Sequence, residues 1–411
     1  MRRRDYLLQA GAVAAGGTVL GCLGRPETGR AASIELESDD RPGQWEEATR
    51  VVDFRDDAWT AVRGRADRVS DPSGGGQVLR LESGPDVQSP TARREFDEPR
   101  DLSGRSFSLA GRWEDPADGW YHYVLTLRDR TGDRVRFAQT VQTDYLRGQH
   151  RLDLGFHSAV GDPDLTAVVS VAVGAWVGDR SSRTFVGEIR STPTSDTGYV
   201  LFTFDDVPAS AYAVARPAMR EHGFAGCGGV IKDRIGTPAA MTMQQLDDLA
   251  AEGWEFCSHP QFEGRPLPTM SREELRGTLD EYKRWLLDHG FDRGAETIIY
   301  PFGVVDDVAL EVVADFHRLG FKLQRAGYGP RISAPLLAGR VDGDDPEAVQ
   351  RAVDHAAEYG LLVPIMYHGI DEGDRVSATA FEQTVAHVAE VSDVEVVTPG
   401  EYLAKLARGA L

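Results

Sequence analysis

Apolar and polar positions follow two different periods along the chain. From residue 51 to 191 they alternate in short runs, and almost nothing repeats at helical spacing. Tyr121-His122-Tyr123-Val124-Leu125-Thr126-Leu127 alternates, as does Val135-Arg136-Phe137-Ala138-Gln139-Thr140-Val141. Residues 166–177 form a β-branched, small-residue run, and 183–190 alternate again, with Gly-Asp, Ser-Gly and Asp-Pro clusters between the runs. This pattern predicts an all-β sandwich over residues 47–192. Residues 191–197, rich in Ser, Thr and Pro, read as a linker. Beyond them strand-length apolar runs at 199–204, 227–231, 254–257, 297–300, 321–323, 337–341, 361–366 and 394–397 alternate with helical periods. Helices are predicted at 209–222, 242–253, 271–289 and 305–319, the third opened by the capping box Ser271-Arg272-Glu273-Glu274. Repeated βα units predict a parallel sheet with crossover helices, closed or nearly closed as a barrel over residues 198–411. Such barrels carry their chemistry at the C-terminal ends of strands.

Composition narrows the function. A chain of 411 residues predicts two domains, and 41% apolar content supplies packed cores. Asp and Glu number 65 against 45 Lys and Arg, a net charge of −20 that repels phosphate chains and argues against a nucleic-acid partner. Acidity spread through the whole chain resembles that of proteins from salt-loving microbes, where screening makes it tolerable; an acidic mesophilic protein is the alternative. At the N-terminus, Arg2, Arg3 and Arg4 precede Asp5-Tyr6-Leu7-Leu8 and a small-residue stretch too short and Gly-rich to span a membrane. This segment resembles a twin-arginine export signal, and Val19-Leu20-Gly21-Cys22 resembles a lipobox. Residues 1–22 are therefore expected to be a lipoprotein-type signal and 23–46 a polar tether. The mature chain would sit on the outer face of the membrane, held only by lipid on Cys22. A plain signal peptide that contains Cys is the alternative. Cys227 and Cys257 are spaced wrongly for a zinc knuckle, and either a disulfide or two buried thiols is compatible with them.

Three predicted strand ends carry chemistry. The first strand runs into Asp205-Asp206, the strand at 254–257 into Ser258 and His259, and the strand at 361–366 into Tyr367 and His368. Adjacent carboxylates repel unless a cation or distinct roles separate them. Together with two imidazoles they suit metal-assisted hydrolysis with an acid and a base.

These residues lie in motifs. Phe202-Thr203-Phe204-Asp205-Asp206-Val207-Pro208-Ala209-Ser210 resembles the first motif of the polysaccharide deacetylases, carbohydrate esterase family four. The segment from Ala250 to His259 is similar to the approach to their second motif, Ile299-Tyr300-Pro301-Phe302-Gly303 to their third, and Ile365-Met366-Tyr367-His368 to their last. The resemblance implies a deformed (β/α) barrel that removes N- or O-linked acetyl groups from an acetylated polysaccharide with a divalent metal ion, zinc first, with cobalt, nickel or manganese as alternatives. It makes Asp205 the general base, Asp206 and His259 metal ligands, His368 the general acid, and the backbone N–H of Phe302 the oxyanion donor.

The chain departs from the family at three points. The second histidine of the second motif falls on Glu263, which either ligates the metal as a carboxylate or leaves the site weak. A register that instead puts a ligand on Glu255 fits the preceding residues less well. Ile299 stands where the family often has an Arg that orients the base; Arg340 either substitutes for it or makes an exposed ion pair. Phe302 replaces the usual Tyr. The N-terminal half resembles jelly-roll carbohydrate-binding modules in Val52-Asp53-Phe54, Trp59, the Ser73-Gly74-Gly75-Gly76 turn and Val78-Leu79-Arg80-Leu81. There Trp113, Trp120, Tyr121 and Trp176 are either sugar-stacking faces or core. Two other functions stay open: a metal-free surface glycan-binding lipoprotein with a degenerate deacetylase domain, and a hydrolase of small amides.

Overall fold

The computed structural model describes residues 48–411 except 57, 75, 85, 117–118, 143–144, 262–263, 324–326 and 410. The expected export signal, Cys22 and the tether lie outside the described residues, as does Glu263. Among the described residues no helix is long and apolar enough to cross a membrane.

Eleven antiparallel strands come first. They are β1 (Thr49–Val52), β2 (Trp59–Arg63), β3 (Arg65–Ser70), β4 (Gln77–Ser83), β5 (Thr91–Arg100) and β6 (Arg105–Asp115). Then follow β7 (Trp120–Arg128), β8 (Arg134–Gln142), β9 (His150–Val160), β10 (Val168–Trp176) and β11 (Ser182–Pro193). One layer orders β3-β4-β11-β6, with β1 on β11, and the other β2-β5-β10-β7-β8. Strand β9 joins the layers, pairing with β6 through residues 150–154 and with β8 through 155–160. The alternation in the sequence is the reason for this packing. Tyr121, Tyr123, Leu125 and Leu127 are fully buried between the layers, while His122, Val124, Thr126 and Arg128 face outward. Trp113 and Tyr121 are 2% and 0% exposed and stack in the core, so neither offers a sugar-stacking face; Trp120 and Trp176 are 40% and 41% exposed. The first three residues of the segment expected to be a linker belong to β11, which runs to Pro193, with Ser191 opposite Thr49 and Phe107.

Parallel strands follow: β12 (Gly198–Phe204), β13 (Cys227–Val230), β14 (Glu255–Ser258), β15 (Thr297–Ile299), β16 (Leu319–Phe321), β17 (Val341–Asp342), β18 (Leu362–Tyr367) and β19 (Val394–Val396). Their order is β16-β15-β14-β13-β12-β18-β17, with β19 also on β12. A parallel bridge between Phe321 and Ala338, just before β17, joins the two ends of this curled sheet. Helices α1 (Arg216–Glu221), α2 (Met243–Ala251), α3 (Arg272–Asp288), α4 (Asp307–Val313), α5 (Pro346–Tyr359), α6 (Ala378–Glu390) and α7 (Pro399–Ala407) make the crossovers. Capping boxes start α2, α3 and α7, the second at the Ser271–Glu274 pair expected from sequence.

Two helices differ from expectation. The stretch predicted at 209–222 is a π-turn, Ala211–Ala215, that passes into α1. The helix predicted at 305–319 stops at Val313, because Leu319 pairs with Thr297 of β15 and the Arg318 N–H donates to the Glu296 carbonyl. Sheet pairing draws those residues off the helix.

The two units share a core. Leu146, Leu152 and Leu154 of the sandwich belong to one apolar cluster with Leu275, Leu310 and Leu336 of the barrel. Half-buried Asp153 accepts from the amides of Ser333 and Ala334, at 2.8 and 2.9 Å. Asp307 accepts from the Arg147 and Gly148 amides, each at 2.9 Å, and lies 2.8 Å from His150 Nε2. Cys227 and Cys257 are free, buried thiols on neighbouring strands, so the disulfide is absent.

Candidate active site

Every residue of β12 is buried, and the strand lies between β13 and β18 with its C-terminal end at the rim. The Asp205 amide still donates to the Tyr367 carbonyl at 2.8 Å, and then the backbone turns sharply. Asp206 and Val207 have φ of 67° and 45°, a left-handed conformation that is unfavourable for a β-branched residue. The turn is held by the Met241 amide donating to the Val207 carbonyl and the Ala209 amide to the Ala239 carbonyl. Strained backbone of this kind persists only where its surroundings over-determine it, and here it turns two adjacent carboxylates in different directions.

Asp205 points into the barrel and is 3% exposed. Arg340 meets it with a fork, Nη1 to Oδ1 at 2.5 Å and Nη2 to Oδ2 at 2.9 Å. The same guanidinium donates to Thr203 Oγ1 at 3.0 Å and to the Lys322 carbonyl at 3.4 Å. Burial pushes the Asp205 carboxyl up, but the charge and hydrogen bonds of Arg340, with His259 and His368 further off, hold it below the usual carboxylate range. The Asp205 carboxylate is therefore kept ionised. Arg340 is buried and paired with Asp205, so the exposed ion pair is excluded.

Asp206 points toward His259, which follows β14. His259 Nδ1 lies 2.9 Å from the Ile299 carbonyl, which only accepts, so Nδ1 carries a proton. Nε2 then faces Asp206 Oδ1 at 3.3 Å. Two acceptors facing each other call for a positive charge between them, either a second proton on the ring or a divalent cation. The mixed carboxylate–imidazole pair, with its imidazole oriented by a backbone carbonyl, fits such a cation. Glu263 lies outside the described residues, and among those described no group of three or more His, Cys, Asp and Glu gathers to hold a metal. Arg234 Nη1 sits 2.5 Å from Asp206 Oδ2. Burial raises the Asp206 carboxyl, and His259 and Arg234 outweigh it from opposite sides.

His368 follows β18; its Nε2 is 3.8 Å from Asp205 Oδ2 and its side chain is 35% exposed. Its Nδ1 is buried with no partner among the described residues. Phe302 lies in the turn after β15 with φ 60°, and the residue is 58% exposed. Glu255 stands at the opposite end of β14 from His259, where it accepts from Thr398 Oγ1 and the Gly400 amide at the start of α7. It is a helix cap, and the register that would make it a ligand fails.

Asp205, Asp206, His259 and His368 are thus brought to one end of the barrel. Sequence reasoning missed Arg234 and Thr203. Arg234 lies just past the end of β13, so the strand-end rule contained its signal.

Residues 192–320 match the family described as polysaccharide deacetylase. No curated protein matches the chain. Similar solved structures include the Streptococcus pyogenes deacetylase PplD in complex with acetate, 19% identical, covering 45% of this chain and 69% of that one, TM-score 0.31. A family 4 acetyl xylan esterase from Clostridium thermocellum in complex with a cobalt ion is 15% identical over 50% of this chain and 90% of that one, TM-score 0.37. A family 11 carbohydrate-binding module of a Clostridium thermocellum cellulosomal cellulase is 11% identical over 36% of this chain and 94% of that one, TM-score 0.27. The family match runs from the end of β11 to β16, and it marks residues 192–320 as a polysaccharide deacetylase domain, a class of hydrolases of amide or ester bonds.

Proposed function

We propose that the protein is a metal-dependent hydrolase that removes acetyl groups, N- or O-linked, from an extracellular polysaccharide. The observation that supports this best is the juxtaposition of Asp205, held ionised by Arg340, with His368 and the Asp206–His259 pair at one strand-end rim. Asp206 and His259 would hold the cation with Glu263 as third ligand; zinc suits the set, with cobalt, nickel or manganese as alternatives. When bound, the cation polarises the acetyl carbonyl and acidifies water.

The chain's own groups do the rest. Asp205 takes a proton from the attacking water, and Arg340 keeps its carboxylate in one orientation throughout. The amide of Phe302, in its left-handed turn, donates to the oxyanion that forms at the carbonyl oxygen. His368 gives a proton to the departing amine or alkoxide as the acyl bond breaks, which leaves acetate and a free amino or hydroxyl group. Residues 1–22 direct export, and lipid on Cys22 anchors the chain to the outer face of the membrane.

A second function has one observation in its favour. Arg234 already neutralises Asp206, as would be expected of a metal-free descendant that only binds glycans. The test is elemental analysis of the purified chain and its Asp206→Ala, His259→Ala and Glu263→Ala variants, alongside acetate release from acetylated glycans. Near-stoichiometric metal lost in the variants, together with acetate release, supports the hydrolase. A wild-type protein that cannot be loaded and releases no acetate leaves the binding protein.

A further inference from the structure

The outward face of the second sandwich layer carries a charge pattern opposite to that of the whole protein. A groove of about 380 Å³ there is lined by Arg63, Arg93, Arg128, Arg134, Arg136 and His157, over a floor that includes Thr126, Ala172 and Gly174. Strand register sets this lining. Arg128 stands directly opposite Arg134, Arg136 opposite Thr126, Arg93 opposite Ala172, and Arg63 opposite Thr91. Like charges directly opposite on one sheet face destabilise it. Elsewhere on the sandwich arginines are matched to carboxylates: Arg80 to Asp67 at 3.0 Å, Arg94 to Asp56 at 2.8 Å, Arg183 to Glu82 at 2.8 Å. In the groove, Arg63, Arg134 and Arg136 make no ion pair with any described residue. Arg93 reaches only the largely exposed Glu95 at 3.8 Å, and Arg128 donates to the Gly132 carbonyl at 2.7 Å. In a chain of net charge −20, with acidic side chains in excess, this concentration of unmatched guanidinium groups forms a local site for anions.

The same face ends in aromatic rings. Trp176 lies against His122 with ring centroids 4.8 Å apart, and Trp120 is two residues along the same strand, on the same side as His122. Both indoles are partly exposed. Along β7 the outward positions pass from these rings, over small side chains, to the arginines at the other end.

Resting on the polysaccharide reading above, we infer that this groove binds an anionic polysaccharide, one whose sugar units carry carboxylate or sulfate groups. The guanidinium forks take the acidic groups bidentately, and the indoles take the apolar faces of sugar rings. A nucleic acid meets the arginines equally well; the glycan is favoured because the barrel is proposed to act on a polysaccharide, and the nucleic acid is an arm of the test.

The test is calorimetric titration of the full chain with polygalacturonate, dextran sulfate, neutral dextran and poly(dT). It is repeated on the triple variant Arg63→Gln/Arg134→Gln/Arg136→Gln and on Trp120→Ala/Trp176→Ala. Thermal melting checks that each variant folds. The expected result is binding of polygalacturonate, dextran sulfate or both, no binding of dextran, and an affinity about tenfold weaker in the triple variant. The tryptophan variant should lose affinity for the glycan. Equal binding of dextran, unchanged affinity in the triple variant, binding of poly(dT) as tight as the better glycan, or no binding of either anionic glycan overturns the inference. Acetate release from a short acetylated oligosaccharide, measured on the same preparations, should be unaffected by the triple variant. Wild-type protein that releases acetate but binds neither anionic glycan therefore removes this inference alone, and wild-type protein that binds an anionic glycan but releases no acetate removes the deacetylase function alone.

Discussion

Arg340 and Asp205 form a two-pronged ion pair sealed inside the barrel, with side chains 1% and 5% exposed. The pair stands beside His368 and fixes both the charge and the direction of the carboxylate proposed as the base. A buried pair of this kind adds little net stability over an apolar pair, but removing one partner strands the other.

Replacing Arg340 with Met should therefore cost about 3–5 kcal/mol of unfolding free energy in urea titrations. Arg340→Lys keeps the charge but loses the fork. It should stay folded while acetate release falls in kcat more than it changes in KM. An Arg340→Met protein as stable as the wild type would show that Asp205 is not held as an anion.

Arg234 competes for Asp206. Because its side chain is 41% exposed, the ion pair is screened, and neutralising it in Arg234→Gln should tighten divalent-metal binding by only about two- to fivefold. Equilibrium dialysis of metal reads this directly. Weaker binding in the variant would mean that Arg234 holds Asp206 in its ligating pose.

Gly294 supports the strand that carries His259. A Cβ at this position would come within 1.9 Å of the Phe256 carbonyl oxygen on β14. Gly294→Ala should cost at least about 1–3 kcal/mol, seen as a lowered melting temperature, and should weaken metal binding through displacement of His259. Full metal affinity with a lowered melting temperature would confine the effect to stability.

The junction between sandwich and barrel responds to acid. Burial raises the Asp307 carboxyl, but His150 and the Arg147 and Gly148 amides hold it below the usual range. A depressed folded-state pKa contributes stability that is present above the unfolded value near about pH 4 and lost as pH falls through the folded value. Asp307→Asn should flatten that acid limb of the stability–pH profile. An unchanged limb would assign acid sensitivity to other carboxylates.

Much of the chemistry was legible in the linear chain. Asp205, Asp206, His259 and His368 each follow a recognisable apolar run, and in a parallel sheet the C-terminal ends of all strands share one rim. The capping box at Ser271 and the alternation in β7 and β8 are likewise local signals, carried by residues within a turn or a strand of one another. The length of the helix after β15 was not legible, because helical period and strand pairing compete for residues 314–319 and only the neighbouring strand decides.

The sequence by itself determined the two periods, the order of the βα units and the residues at the strand ends, because hydrophobic period and backbone capping act over a few residues. Tertiary structure alone decided that Arg340 grips Asp205 from 135 residues away, that Arg234 meets Asp206, and that arginines from four sandwich strands share one groove. Those contacts depend on strand order and register, which are set by the packing of the whole sheet.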